Sequence, residues 1–467
     1  MNFVEELRWR GMLHDLMPGV EEKLQTGMVS GYIGFDPTAD SLHVGSLAQI
    51  MTLIHFQQAG HKPFVLVGGA TGMVGDPSGK SAERNLLSTE VLQHNLNGIQ
   101  NQLEKFLDFK IGENRAEIVN NYDWFKNVSF LDFIRDAGKH ITVNYMMAKD
   151  SVKKRLEGET GMSFTEFSYQ LIQGYDFYYL WKNRNCVLQM GGSDQWGNMV
   201  TGTELIRRKD QGEAFALTTQ LIKKADGSKF GKSEGGNIWL DPAKTSPYQF
   251  YQFWLNASDN DAKSYIRIFT LQKQHDIEAL ETEHDAAPHL RNLQKALAKD
   301  ITIRVHGEEN FGLIEITNEF TFNNNFKWKD LFDLEEGQFL KVFKSTKQYF
   351  AIDELGSSTT FFAIRESIKE FVKDDLISFL TIVKSFGEED ESYKPMFESK
   401  SEARKLILNG GVYINKIKVT LDQKLSDFEL YKDKYMFVQK GKKNSALVNF
   451  CNDVFSELHR MEELLKQ

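Results

Sequence analysis

Val29-Ser30-Gly31-Tyr32-Ile33-Gly34-Phe35-Asp36-Pro37-Thr38-Ala39-Asp40-Ser41-Leu42-His43-Val44-Gly45-Ser46 is the stretch on which the fold turns. Val29 to Phe35 is a β-prone run, and Pro37 with the Thr, Asp and Ser residues after it breaks that strand. From Val44 to Ala59 apolar residues recur at three- and four-residue steps, the period of a helix. A strand running through a short loop into a helix is the opening unit of an α/β domain on a parallel sheet. The helix N-terminus would offer unpaired backbone NH groups to an anion. Gly45 would let a ligand approach the backbone, and His43 and Ser46, one turn apart, would add donors. Alone, His43 reads more readily as a satisfied structural histidine.

The same alternation continues outward. Strands are expected at Phe64–Val67, Ala116–Val119 and Cys186–Met190, and helices at Thr89–Leu107, Phe164–Trp181 and Trp196–Lys209. Ligands in such sheets bind at the carboxyl ends of the strands, where these loops gather. This first domain covers about 1–235. The pattern then becomes mainly helical, with Pro247 opening a helix and a periodic run through Leu290–Val305, for a second domain of 236–373. Within it, 310–373 carries no readable periodicity. The third domain, 374–467, combines a basic stretch with an amphipathic tail from Leu447 to Leu465.

A chain of 467 residues, 41 % of them hydrophobic, suffices for about three cores. The N-terminus has early acidic residues and no apolar run of export length, and no stretch approaches a membrane span. Cys186 and Cys451 are the only cysteines and match neither a disulfide framework nor zinc spacing, so a cytoplasmic setting is the expectation. Net charge is −9, but Lys394–Lys443 holds twelve Lys or Arg against six Asp or Glu, net +6, leaving the rest near −15. A basic module on an acidic body suits an enzyme that handles RNA, and it also suits a plain solvated surface.

A second phosphate-handling element is Lys229-Phe230-Gly231-Lys232-Ser233, within a Gly- and Lys-rich stretch that reads as a mobile loop with few large apolar anchors. Two lysines three apart could both reach a polyphosphate, or could simply be solvated. Gly75-Asp76-Pro77-Ser78-Gly79-Lys80-Ser81 imitates a P-loop, but only three residues separate its glycines where four are needed. On Phe164–Trp181, Tyr169, Gln173 and Asp176 share one face of a helix that is apolar almost all round. Buried polar groups need partners, which an amino-acid ligand or an internal network could supply. Tyr32 and Asp76 occupy loop-facing positions of the same sheet. Gly192, Asp194 and Gln195 follow the Cys186–Met190 strand, where Asp194 suits a ribose or an N-cap.

Together these elements resemble the bacterial-type tyrosyl-tRNA synthetases, class I aminoacyl-tRNA synthetases with a Rossmann-like catalytic domain. The likeness runs from about Gly31 to Lys232 and resumes over Phe397–Val419, which resembles an S4-type RNA-binding module. It implies that His43-Val44-Gly45-Ser46 stands for the HIGH motif and Lys229–Ser233 for KMSKS, with Ser46 replacing the usual histidine by a shorter donor. It implies that Tyr32 and Asp176 hold the substrate phenol, Asp76, Tyr169 and Gln173 its ammonium, and Gln195 its carboxylate region. Thr38, His43, Lys229 and Lys232 would contact ATP phosphates, Asp194 the ribose, and Gly34, Asp36, Gly45 and Gly192 would line the nucleotide. Lys80 and Arg84 would act on the triphosphate in the transition state. Lys400, Arg404, Lys405 and Lys416 would contact RNA, and the helical domain would lie on the anticodon side. Partners implied are L-tyrosine, ATP with Mg²⁺, tRNA(Tyr) and a second copy of the chain in a homodimer, with no protein-bound metal and no membrane.

The implied chemistry is attack of the tyrosine carboxylate on the α-phosphorus of ATP, then acyl transfer to the terminal ribose of tRNA. No general base is needed for a carboxylate already ionised at pH 7, so catalysis would rest on transition-state binding. A tRNA-independent adenylylating enzyme is opposed by the basic module, and a non-catalytic RNA-binding relative by the intact lysine element and pocket. A tryptophan-specific relative is opposed by the Tyr32–Asp176 pair.

Overall fold

The computed structural model describes residues 2–76, 87–149, 152–153, 156, 161–227, 230–233, 236–323, 325–345, 361–365, 375–387, 392–441 and 444–451. The chain divides into two compact units, Met1–Thr245 with Gln252–Val305, and Ser246–Tyr251 with His306–Gln467. These units cut the chain at other points than 235/236 and 373/374, because helices after 252 pack with the first unit and residues after 306 with the basic module.

The first unit is built on a sheet of β1 (Leu13–Leu16), β2 (Ser30–Phe35), β3 (Lys62–Val67), β4 (Glu117–Asn120), β5 (Cys186–Gly192) and β6 (Phe215–Thr219). Their spatial order is β1-β6-β5-β2-β3-β4. β2 through β6 run parallel, and β1 is an antiparallel edge on β6. Neither β1 nor β6 is among the expected strands. β2 is the switch point: the chain steps from it to β3 on one side and returns through β5 on the other. The helix Val44–Gln58 is buried at every position from Ile50 to Phe56, which explains its lack of a polar face. The helices Thr89–Leu103, Phe164–Arg184 and Trp196–Asp210 end within a few residues of their expected bounds. No helix among the described residues is long and apolar enough to cross a membrane.

In the second unit, β9 (Phe361–Arg365), β12 (Val412–Ile414), β13 (Ile417–Lys418), β14 (Tyr435–Lys440) and β15 (Asn444–Cys451) form one sheet. β10 (Lys384–Gly387) and β11 (Ser392–Pro395) pair as a separate two-stranded sheet, and β7 (Lys232–Ser233) and β8 (Gly236–Asn237) belong to the first unit. Alternation along β14 and β15 gives the sheet two buried faces. Met436, Val438, Ala446 and Val448 pack on Phe379, Phe397 and Ile407. Tyr435, Phe437 and Leu447 pack on Phe320, Trp328, Phe339 and Phe343, with Phe339 stacked on Tyr431 at 3.8 Å. Residues 310–345 are therefore the cover of one face of this sheet, which no local periodicity could reveal. The amphipathic tail expected from Leu447 is corrected over 447–451, which is strand; its remainder lies outside the described residues.

Candidate active site

At the carboxyl ends of β2, β3 and β5 lies a cavity of about 310 Å³. Its lining includes Tyr32, Gly34, Asp36, Thr38, Gly45, Asp76, Tyr169, Gln173, Asp176, Gly192, Asp194 and Gln195, which the sequence had scattered over 164 positions. β2 carries Tyr32 beside Gln189 of β5, and the helix Phe164–Arg184 brings Tyr169, Gln173 and Asp176 across the top.

Asp176 is 1 % exposed and accepts from Asn121 Nδ2 at 3.1 Å and Trp124 Nε1 at 2.9 Å. Burial raises its carboxyl to about 8 despite those two donors. The Tyr32 hydroxyl is equally buried and has no hydrogen-bond partner among the described residues. Burial, and then the Asp176 charge, holds that phenol well above its usual range. An orphaned hydroxyl and a buried carboxylate in one cavity form a site for a group that both accepts and donates a hydrogen bond.

Nearer the loops, the Tyr169 hydroxyl donates to Asp36 at 2.9 Å and the Thr71 hydroxyl donates to the same carboxylate at 2.8 Å. Gln195 Nε2 donates to Asp76 at 2.8 Å. Burial and the neighbouring Asp76 charge raise the Asp194 carboxyl. With Asp176 mostly protonated, Asp36, Asp76 and Asp194 around one cavity give it an anionic field, suited to a ligand cation. Gln189 and Gln49 also line the cavity, each with a buried Oε1 that has no partner among the described residues. Neither is among the expected site residues. A glutamine inside the apolar run Cys186–Met190, and one four residues past Gly45 on the same helical face, were the available signals.

His43 is the N-cap of the helix Val44–Gln58, its Nδ1 accepting from Gly45 N at 3.0 Å. A neutral imidazole accepting at Nδ1 carries its proton on Nε2, so the cap fixes the tautomer as an Nε2–H donor. Gly45 is what permits this, since a Cβ there would lie 2.6 Å from His43 Cε1. The structural and functional readings of His43 are therefore compatible. Ser46 sits in the first helical turn and, like His43, is outside the cavity lining. Lys80, Arg84 and Lys229 lie outside the described residues, and of Lys232 and Ser233 only the backbone, in β7, is described. The expectation that this element lacks apolar anchors is corrected at Phe230, which is 7 % exposed among aromatic rings.

The family described as tRNA synthetases class I (W and Y) matches residues 24–320, and the tyrosine–tRNA ligase SYY-like C-terminal domain matches 394–448. A tyrosine–tRNA ligase of Cytophaga hutchinsonii is 57 % identical over 96 % of this chain and 99 % of its own. The chain belongs to the class I tyrosine–tRNA ligase family. One from Bacteroides fragilis is 55 % identical over the same shares. A C-terminally truncated mitochondrial tyrosyl-tRNA synthetase of Aspergillus nidulans superposes with a TM-score of 0.62 at 30 % identity, covering 69 % of this chain and 94 % of that one.

The second unit holds the four basic candidates in different settings. Arg404 and Lys405 are exposed on the helix Lys400–Leu408. Lys400 pairs with Asp375 and donates to Ser378. Lys416 is turned inward, donating to the Phe320 carbonyl with its ammonium over the Phe320 ring.

Proposed function

We propose that the cavity is a tyrosine pocket in which the Tyr32 hydroxyl donates to the substrate phenol oxygen and Asp176 accepts from the phenol proton. The observation that carries this is the buried Tyr32 hydroxyl, without a hydrogen-bond partner among the described residues, lining the same cavity as Asp176. Asp76, Tyr169 and Gln173 take the ammonium, and the carboxylate lies by Gln195. The reaction is the ATP-dependent charging of tRNA with tyrosine. One carboxylate oxygen bonds the α-phosphorus as the bond to the β-phosphate oxygen breaks, and pyrophosphate leaves. A tRNA ribose hydroxyl then attacks the acyl carbon and AMP departs. His43 Nε2–H, Thr38, Lys229, Lys232, Lys80 and Arg84 meet the phosphates, with Mg²⁺ arriving as the counterion of ATP, while Asp194 takes the ribose. Tyrosine-dependent exchange of pyrophosphate into ATP tests the reading; exchange supported by tryptophan and not by tyrosine would sink it.

The second unit serves as the tRNA grip, with Arg404 and Lys405 on its exposed helix. A chain ending at residue 373 would strip Phe320, Trp328, Phe339 and Phe343 of the strands they pack on. One ending at Val305 removes both halves of that core together. The shorter chain is expected to keep tyrosine-dependent exchange and lose charging, as measured by acylation of tRNA. Full charging by it would remove the second unit from RNA binding.

A homodimer is supported by the exposed apolar side chains Phe130, Leu131, Ile134, Val143, Met147 and Phe164, from 42 to 70 % accessible, all within one 35-residue stretch of the first unit. Monomers seldom expose so many large apolar side chains within so short a segment. Leu131→Glu is expected to shift the protein to half its mass in sedimentation equilibrium. An unchanged mass would place the interface elsewhere.

A further inference from the structure

We propose that Phe230 is a positioning residue that fixes the backbone on which Lys232 follows, by locking the dipeptide Phe230-Gly231 between an aromatic cage and the helix of His43. This goes beyond the phosphate role assigned to that lysine and rests on it. The Phe230 ring stacks on Phe269 at 5.5 Å and 14°, and meets Tyr265 at 5.1 Å, Phe253 at 5.8 Å and Trp254 at 5.9 Å. These rings come from the helices Pro247–Leu255 and Asp259–Phe269, and those of Phe253, Trp254, Tyr265 and Phe269 also contact one another. The cage is thus a rigid object independent of the loop.

Gly231 holds the other side. Its φ of +81° is a left-handed conformation, and a Cβ there would lie 3.1 Å from Val44 Cγ2. Its carbonyl accepts from Ile238 N at 3.1 Å, and the Ile238 carbonyl accepts from Val44 N at 2.9 Å. One strand of backbone therefore ties the lysine element to the first turn of the helix that His43 caps. Lys232, next in the chain and in β7, starts from one backbone position rather than many, which lowers the entropy lost when it meets departing pyrophosphate. In a reaction driven by placed charges, a displacement of about 1 Å costs on the order of a hundredfold in rate.

Phe230→Ala, in the full chain, is expected to slow single-turnover tyrosyl-adenylate formation by about a hundredfold while tyrosine affinity stays at the wild-type value. Phe230→Met, which refills the cage with a flexible apolar chain, should recover most of the rate. In a Lys232→Ala background the same Phe230→Ala change should cost nothing further, because it acts through that lysine. A wild-type rate in Phe230→Ala, or an equal loss in both backgrounds, would overturn the proposal. A Lys232→Ala protein with full activity would overturn the phosphate assignment instead.

Discussion

Asp176→Asn is expected to weaken tyrosine binding by about tenfold to a hundredfold at pH 8, the worth of one hydrogen bond to a charged group, and to abolish a proton release that accompanies binding in the wild type. The cause is the burial that raises the Asp176 carboxyl to about 8. In the free enzyme below that pH the group is mostly protonated. A substrate phenol donating to it stabilises the charged form and lowers its pKa in the complex. Binding must then expel a proton at pH 6 to 7 and almost none above pH 9. Tyrosine affinity should accordingly fall by about tenfold per pH unit below 8, until the pKa of the complex is reached. Calorimetry in buffers of different ionisation enthalpy counts the proton directly. A count near zero at pH 6.5, or one that survives in Asp176→Asn, would refute Asp176 as the phenol acceptor.

Gly45→Ala is the second large effect, and it should leave the fold nearly intact. The new Cβ would stand 2.6 Å from Cε1 and 2.8 Å from Nδ1 of His43, so the ring must swing out of its cap. Losing a cap costs about 1 kcal/mol of stability, a shift of a few degrees in melting temperature. The functional cost is greater, because Nε2–H leaves the place where the cap had set it. Adenylate formation should fall by about a hundredfold with tyrosine affinity unchanged. His43→Ala should match it, and the double variant should be no worse than either single. Independent, multiplying losses would show that Gly45 acts on ATP by itself.

Which parts of this were legible beforehand follows the range of the interactions. The β2-to-helix unit, the four long helices and the face shared by Tyr169, Gln173 and Asp176 are local patterns. They depend on side-chain period and chain-breaking residues within a few turns, and they emerged with bounds off by only a few residues. Even twelve cavity residues could be gathered, because a parallel sheet places the ends of its strands together wherever they lie in the chain.

What only the tertiary structure decided is what meets what across long separations. Asp176 owes its raised pKa to burial and its two donors to Asn121 and Trp124, more than fifty residues away, and no pattern near Asp176 announces them. Phe230 looks like one apolar residue in a lysine loop until the helices after Pro247 close around it. Residues 310–345 have no evident purpose alone, since their aromatic face exists to cover strands a hundred residues later. Lys416 belongs to a basic stretch by composition and to the Phe320 carbonyl by packing. Composition and period are properties of neighbours in the chain, whereas burial, and with it pKa and hydrogen-bond partnership, is a property of neighbours in space.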